Sequence, residues 1–500
     1  MGSESRRGRG RALYEELKAR ILDGTFRSGA ALASTRACAE ERGLSRTTVS
    51  AVYDQLAAEG FIETRRGASA RVAAGAMSAR QPPASAGRAI GARRGAKPRL
   101  SAAGERIAGL GLSPAGDAPA GAIDFKYGPL AGADFPTLAW MKASRQVERV
   151  RPARLEYADP RGDLGLRTAL QRYLGRARGI ACDVERILVV NGSQQALDLC
   201  ARVLLDAGSL AVVENPGYRM AHRAFIAAGA RLHGIAVDQH GLRTDQLANV
   251  RNAALAYVTP THQFPLGSFL AMPRRQALLA WAARTGAWVL EDDYDGEYRY
   301  AVRPEPTLHS LDAAGSVIYI GTFSKTLSPE LRLGYMVVPP RLAEVMACAR
   351  QLTDRHSASN AQRTLALLMN EGTYDRHIRR VRRVQEARRG ALLAALKRHA
   401  DGRLVVEGAA SGLHVVVGIP GLPASREAQV VAAARQQGVL VYPLSPLYLP
   451  RPGPEPRRSA GLVLGYALLD AERIDRGVKG LAAAIRSLPG ARSRRCCRTR

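Results

Sequence analysis

Tyr319-Ile-Gly-Thr-Phe-Ser-Lys-Thr-Leu-Ser-Pro-Glu-Leu-Arg-Leu-Gly-Tyr335 decides how this chain is read. Ser316 to Ile320 has the apolar, β-branched composition of a short buried strand, and Leu333 to Val338 reads as the next one. Between them stands a lone lysine, Lys325, flanked by hydroxyls and followed seven residues later by Arg332. A primary amine at a strand end, ringed by small hydroxyl donors and one guanidinium, suits an aldehyde cofactor that carries a phosphate. The amine forms the Schiff base, and Thr322, Ser324 and Arg332 hold the phosphate. A bare Ser-Lys pair is more often a surface lysine in a polar turn. The cofactor reading therefore depends on the other parts of such a site being present.

Other stretches offer those parts. Ile187 to Val190 is a predicted strand, followed by Asn191-Gly-Ser-Gln-Gln195 and a helix carrying Leu197, Leu199, Val203 and Leu204. A strand, a Gly-Ser turn and a helix N-terminus make a phosphate site, because the first amides of the helix point outward without partners. Ser193 and Gln194 are the candidate donors, although capping turns with serine are common. A second strand, Leu210 to Val213, leads into Glu214-Asn-Pro-Gly-Tyr218. A third, Ala287 to Leu290, ends in Glu291-Asp-Asp-Tyr-Asp295. Acids at the carboxyl end of a parallel strand sit where doubly wound folds bind ligands. A carboxylate there can pair with a protonated pyridine nitrogen. Metal binding is the rival use of an acid cluster, and no histidine stands near this one in the sequence.

Ser324-Lys-Thr-Leu-Ser-Pro329 with Leu331-Arg-Leu-Gly-Tyr335 resembles the lysine motif of fold-type I pyridoxal-phosphate (PLP) proteins. Together with Val258-Thr-Pro-Thr-His-Gln-Phe-Pro-Leu-Gly267 and Glu291-Asp-Asp-Tyr-Asp-Gly-Glu-Tyr-Arg299, it resembles more narrowly the MocR subfamily of GntR-type transcription regulators. The resemblance runs from about Arg11 to about Ile485. It implies an α/β, fold-type I, PLP-dependent aminotransferase-like domain behind an N-terminal winged helix-turn-helix. It implies Asp292 on the pyridine nitrogen, Tyr294 on the ring's phenolic oxygen and Tyr218 stacked over the ring. It also implies a homodimer, with the head-to-tail arrangement as one form. Two positions depart from the aminotransferase pattern. Phe264 stands where an asparagine usually precedes the proline, and either His262 or Gln263 substitutes for it or both are structural. Val463 stands where an arginine usually clamps the substrate carboxylate, leaving Arg457 or Arg458 in the preceding loop as alternatives.

Residues 11–73 read as a separate compact unit. Leu13, Leu17 and Ile21 recur at helical spacing, and Gly24 ends that helix. Ser34 can cap a second helix through Arg42, and Gly43 makes the turn. Ser45 can cap a third, whose inward face is Val49, Val52, Tyr53 and Leu56. Two short helices joined by a glycine turn predict a helix-turn-helix, and Phe61 to Val72 predicts a basic hairpin wing turning near Gly67. Arg46, Thr47 and Thr48 fall on the first turn of the third helix, where a recognition helix meets base edges. Arg36, Arg65 and Arg66 are placed to hold phosphates and the minor groove of double-stranded DNA. The unit resembles GntR-type winged helices, although Ala33 precedes Ser34 where the family usually has proline, and the wing tip is less glycine-rich.

Residues 74–121 are rich in Ala, Gly, Pro, Ser and Arg without sustained apolar periodicity, which predicts a flexible basic linker. Residues 122–485 alternate strands and helices as an effector domain, and 486–500 read as a basic disordered tail. The formal net charge of +29 over 500 residues favours a polyanionic partner, with nucleic acid ahead of membrane. The six cysteines show no metal-ligand spacing and predict free thiols in a reducing cytoplasm, with Cys496-Cys497 in the tail. No apolar run spans a membrane, no signal-peptide core is seen, and Arg6 stands where a myristoylation motif needs Ser or Thr.

The reading that unites these parts is a PLP-dependent, DNA-binding transcription regulator. Its aminotransferase-like domain senses PLP, an amino compound or both through aldimine formation at Lys325. The alternative is an active aminotransferase with an accessory DNA-binding head. The departures at Phe264 and Val463 favour the regulator, with at most vestigial half-transamination. A regulator that no longer binds PLP fits poorly with the complete set of parts around Lys325.

Overall fold

The computed structural model describes residues 4–65, 68–74, 99–112, 118–150, 153–300, 305–400, 402–408, 410–450 and 458–489. Arg66, Gly67, Arg457, Cys496 and Cys497 lie outside the described residues. The chain divides into two compact units, Met1–Pro98 and Arg99–Arg500.

The first unit follows its capping residues. Helices α1 (Glu4–Leu22), α2 (Thr35–Arg42) and α3 (Arg46–Ala58) are joined by short turns. Ser34 Oγ accepts from the amide of Ala37 at 3.1 Å, and Gly43 closes α2 in the left-handed region at φ 59°. Ser45 Oγ accepts from the amide of Thr48 at 3.2 Å to open α3. Leu13, Leu17 and Ile21 pack against Val49, Val52, Tyr53 and Leu56, all buried. Strands β1 (Ile62–Glu63) and β2 (Arg71–Val72) pair antiparallel, with Ile62 opposite Val72, and add both apolar side chains to this core.

The second unit is built on an eight-stranded sheet. Its spatial order is Ile187–Val190, Gly334–Val337, Val317–Thr322, Trp288–Asp293, Ala253–Val258, Leu210–Asn215, Arg231–Asp238 and Gly241–Leu242. Gly334–Val337 runs antiparallel to both neighbours and Gly241–Leu242 closes a hairpin, while the other pairings are parallel. The strands Ile187–Val190, Val317–Thr322, Ala253–Val258 and Gly334–Val337 are apolar on both faces along most of their length, as in a sheet covered on both sides. Along Val317–Thr322, Ile318 and Ile320 enter one core cluster, while Val317 and Tyr319 enter others.

A smaller antiparallel sheet holds Val405–Glu407, His414–Pro423, Ser459–Gly465 and Tyr442–Pro443. The helix Thr373–His399, 27 residues long, leads into it. Ile123–Asp124, at the other end of this unit, pairs in parallel with Val439–Leu440 beside that sheet. The amide of Gly465 then donates to the carbonyl of Phe125 at 2.9 Å. These bonds lead residues 126–128 toward Lys325.

Two expectations change. Part of the stretch read as linker is helical: Ala102–Gly109 is capped by Ser101, and Arg106 Nε donates to the carbonyl of Ala227 at 3.1 Å. Eight residues with Ile107 more than half exposed carry no apolar periodicity, so polar anchoring alone marks this helix. The strand expected to stop at Leu290 continues through Asp293, because each acid meets a donor inside the fold. Among the described residues, Cys38, Cys182, Cys200 and Cys348 are free thiols. No described helix is long and apolar enough to cross a membrane.

Candidate functional site

The carboxyl ends of the parallel strands open on one side of the sheet, the position at which doubly wound folds place ligands. A cavity of about 310 Å³ lies there. Ser193, Gln194, Tyr218, Asp292, Tyr294, Thr322, Ser324, Lys325 and Arg332 all line it, so the structure brings together every residue proposed from the sequence for a phosphorylated aldehyde cofactor. Tyr127, Gly128, Tyr257, Thr259, Leu413 and His414 line it too, and sequence reasoning missed them. Tyr257 had a signal, as an inward position one residue before the Val258-Thr-Pro motif. Tyr127 and Gly128 had none, since almost 200 residues separate them from Lys325.

Lys325 Nζ donates to the carbonyl of Gly128 at 2.7 Å, and Tyr298 donates its hydroxyl to the carbonyl of Lys325 at 2.6 Å. Burial holds this amine below the ordinary lysine range, against the pull of Asp295 and Asp292. A lysine so placed has a larger neutral, nucleophilic fraction than one in water.

The three consecutive acids have three fates because strand side chains alternate. Glu291 accepts from the amides of Leu308 and His309 at 2.9 and 2.8 Å. Asp293 accepts from Arg178 Nε and from the Tyr319 hydroxyl, each at 2.6 Å. Glu291 and Asp293 share one face of the strand, and Asp292, between them, takes the other and turns to the cavity. Its Oδ2 accepts from the Tyr257 hydroxyl at 2.7 Å, and its Oδ1 has no partner although fully enclosed. Burial pushes the Asp292 carboxyl up to about 7. Tyr257 opposes the rise, while Asp293 and Asp295 add to it. An enclosed carboxylate oxygen facing a cavity without a donor fits a protonated ring nitrogen.

The phosphate end is built from backbone as much as side chain. Gly192 caps the helix Ser193–Leu204 at φ 79°, with no capping side chain. A Cβ on Gly192 would lie 2.9 Å from the Arg332 guanidinium, so only glycine lets that group close over the helix start. Arg332 donates from Nη2 to the carbonyl of Asn191 at 2.7 Å. Thr322 Oγ1 donates to Ser324 Oγ at 3.1 Å, and Gln194 Oε1 is enclosed without a donor. Outward amides, two hydroxyls and a guanidinium fit a phosphate ester.

Tyr218 meets Phe264 edge-on at 5.8 Å between ring centres, and burial pushes its phenol up to about 12. The Tyr294 hydroxyl lies 2.9 Å from His262 Nδ1, which lies 2.9 Å from Asp295 Oδ2. The sequence reading that no histidine stands near the acids is therefore overturned. Ligand atoms of His262, Asp295 and His414 fall within 4.8 Å of one another, because a loop brings His262, and the start of the strand His414–Pro423 brings His414, to the end of the strand that carries the acids. His414 Nε2 also bonds the carbonyl of Pro265 at 2.9 Å, so the cluster is a hydrogen-bonded support behind Tyr294. Gln263 is committed elsewhere: Nε2 donates to the carbonyls of Pro216 and Phe264 at 2.9 and 2.6 Å. Phe264 itself, rather than His262 or Gln263, lines the cavity.

In the first unit Arg46 and Thr47 are exposed and Thr48 is half-buried on the opening turn of α3. Ser45 Oγ lies 2.8 Å from Thr47 Oγ1 and 2.7 Å from Thr48 Oγ1, which orients both hydroxyls. Arg36 is exposed and 3.4 Å from Glu40, and Arg65 is exposed on the chain leaving β1.

Residues 9–72 match the family model for bacterial regulatory proteins of the gntR family. Residues 123–480 match that for aminotransferase class I and II. The chain is 35% identical over 479 residues to a probable rhizopine catabolism regulatory protein, MocR, of Rhizobium meliloti, covering 96% of this chain and 94% of that one. It is 31% identical to the HTH-type pyridoxine biosynthesis transcriptional regulator PdxR of Corynebacterium glutamicum, over 75% of this chain and 76% of that one. Among solved structures it resembles the α-aminoadipate aminotransferase LysN of Thermus thermophilus complexed with N-(5′-phosphopyridoxyl)-L-leucine. That likeness has 31% identity and a TM-score of 0.66, covering 73% of this chain and 92% of that one.

Proposed function

The chain belongs to the MocR-type GntR transcription regulators, and from that premise we propose that it binds double-stranded operator DNA through the first unit and senses PLP, an amino compound or both in the second. The observation that carries the reading is one cavity lined by Lys325, Asp292 and a phosphate cradle, on a chain that also has a winged helix-turn-helix. The alternative of an enzyme with an accessory head is less well supported, because a relative matching nearly the whole chain is a regulatory protein.

When bound, PLP supplies an aldehyde that takes up primary amines reversibly and a ring that withdraws electrons from them. Asp292 would accept a hydrogen bond from the protonated ring nitrogen at Oδ1 while Tyr257 donates to Oδ2. Tyr294, held by the His262–Asp295 pair, would donate to the ring's oxygen, and Tyr218 would cover the ring. Ser193, Gln194, Thr322, Ser324 and Arg332 would hold the phosphate, and Lys325 would present its amine, already partly stripped of water, to the aldehyde. Arg46, Thr47 and Thr48 meet base edges, and Arg36, Arg65 and Arg66 hold phosphates. An occupant shifts DNA binding only through different affinities for two arrangements of the protein.

We also propose a homodimer acting in the cytoplasm. Leu155 is 94%, Leu138 83% and Leu352 82% exposed, which suits burial by a second copy. The decisive experiment is an absorbance titration of the purified protein with PLP beside its Lys325→Ala variant, with DNA affinity measured on each. The expected result is a visible band in the wild type that is missing from the variant, with the variant's head still binding DNA. No band in the wild type would remove the cofactor from the function.

A further inference from the structure

We propose that the amino compound admitted beside the cofactor is a primary amine without a carboxylate, an inference that rests on the sensing function above. The wall where an acid would be clamped is apolar. Val463, fully buried, pairs in register with Val416 and Tyr442 and packs in one cluster with Phe264, Leu444 and Leu447. Of these, Phe264 lines the cavity.

Among the described lining residues the only side chains that hold a positive charge are Lys325 and Arg332. Arg332 is held at the phosphate end by the carbonyl of Asn191, and Lys325 is held by that of Gly128. His414 is kept neutral by burial and by His262 beside it. Arg219 acts on Tyr127 through space, but it is exposed and outside the lining. Arg458, the candidate clamp in the preceding loop, lays its guanidinium over the Tyr448 ring at 3.6 Å. The strand it leads into pairs Ser459 with Pro423, whereas the cavity lies near the pairing of His414 with Gly465. Tyr448 borders the cluster of Val463 and Phe264, but neither it nor Arg458 lines the cavity.

Charge on the far side makes the selection sharper. Asp292 lines the cavity, and Asp295 is buried behind Tyr294. A ligand carboxylate would leave water for a space with two acids near it, where the one described guanidinium, that of Arg332, is held at the phosphate end. An amine with an uncharged tail avoids that second desolvation. It gains contact with Tyr127, Phe264 and Leu413, whose rings and methyls face the same space. The sequence says what replaced the arginine. Among the described residues that line the cavity, no cation beyond Lys325 and Arg332 stands there.

The test uses the full-length protein loaded with PLP and freed of excess, followed by the cofactor's visible absorbance. Matched pairs differing only in the carboxylate are titrated: phenethylamine against phenylalanine, and butylamine against 4-aminobutyrate. Half-saturation is expected at a concentration at least about 100-fold lower for each amine than for its acid, the scale set by an unpaired buried charge. Acids that act at equal or lower concentration would overturn the proposal and leave the sensing function standing. A loaded protein whose band answers to neither member of any pair would overturn both.

Discussion

Tyr257→Phe removes one hydroxyl from a fully enclosed pair and little else. The ring stays within the core beside Phe225, 6.0 Å away between centres, so packing is preserved. Asp292 loses its Oδ2 donor at 2.7 Å, and its Oδ1 has no protein partner to compensate. A hydrogen bond to an ionised group contributes roughly 1.5–3 kcal/mol, against about 1 for a bond to a neutral one. In the free protein the carboxyl, at about 7, is half-protonated near neutrality. With the cofactor's ring nitrogen against it, it is ionised. With half of the ionised bond already present in the free protein, the variant weakens the bound state more than the free state by about 0.3–1 kcal/mol, a rise of about 1.5- to 5-fold in the Kd for PLP. Equilibrium titration of the apo protein at pH 7.5 measures it. Tyr319→Phe is the control: it removes an equally buried hydroxyl from Asp293, at 2.6 Å, outside the cavity lining. It should destabilise the fold similarly while leaving the Kd unchanged. Equal Kd values for Tyr257→Phe and wild type, or equal losses in the two variants, would refute the assignment of Asp292 as the ring-nitrogen partner.

Glu214 gives a pH signature. Its carboxyl accepts from Thr259 and Gln263, yet burial outweighs these bonds and pushes it up to about 7 from an ordinary 4.5. The folded state therefore keeps a proton that the unfolded chain has released between those values. That contribution is fully present below pH 4.5 and lost as pH rises through 7, about 3 kcal/mol in all. Glu214→Gln lacks this loss, so its stability relative to wild type should improve by about that amount between pH 4.5 and 7.5 in urea unfolding, and a flat difference would count against it. In the head, Arg46→Ala should cost about 1–3 kcal/mol on cognate DNA and far less on scrambled DNA. Arg65→Ala should weaken both equally and lower the salt slope by about one, read by fluorescence anisotropy. Ser45→Ala should destabilise the head by about 1 kcal/mol through loss of the α3 cap, measured by thermal unfolding of the full chain.

Much of this was written locally. Ser34, Gly43 and Ser45 mark helix ends because a capping oxygen and a left-handed glycine act on the next few backbone groups, wherever the rest of the chain lies. The Ile187–Val190 strand with its Gly-Ser turn, and the strand before Lys325, were legible for the same reason: one short apolar run followed by one chemically distinct turn. Their convergence into one cavity follows from parallel strands sharing a carboxyl edge, a rule that needs only the alternation of strands and helices.

What depends on long-range packing stayed hidden. The strand through Glu291, Asp292 and Asp293 looked too polar to continue, and only the donors from Leu308, Arg178, Tyr319 and Tyr257 make three buried acids tolerable. Gly128 reaches Lys325, and His262 and His414 reach the acids, across chain separations that carry no periodic signal. The sequence by itself determined the two units, their helix caps and the residue types able to hold a phosphate and an aldehyde. The resemblance had already singled out Asp292, and the tertiary structure alone decided which tyrosine holds it in place and that the wall lacking an arginine received no other described cation. Capping and alternation are local interactions of a few residues, whereas the state of a buried charge depends on every group the fold brings within hydrogen-bonding reach.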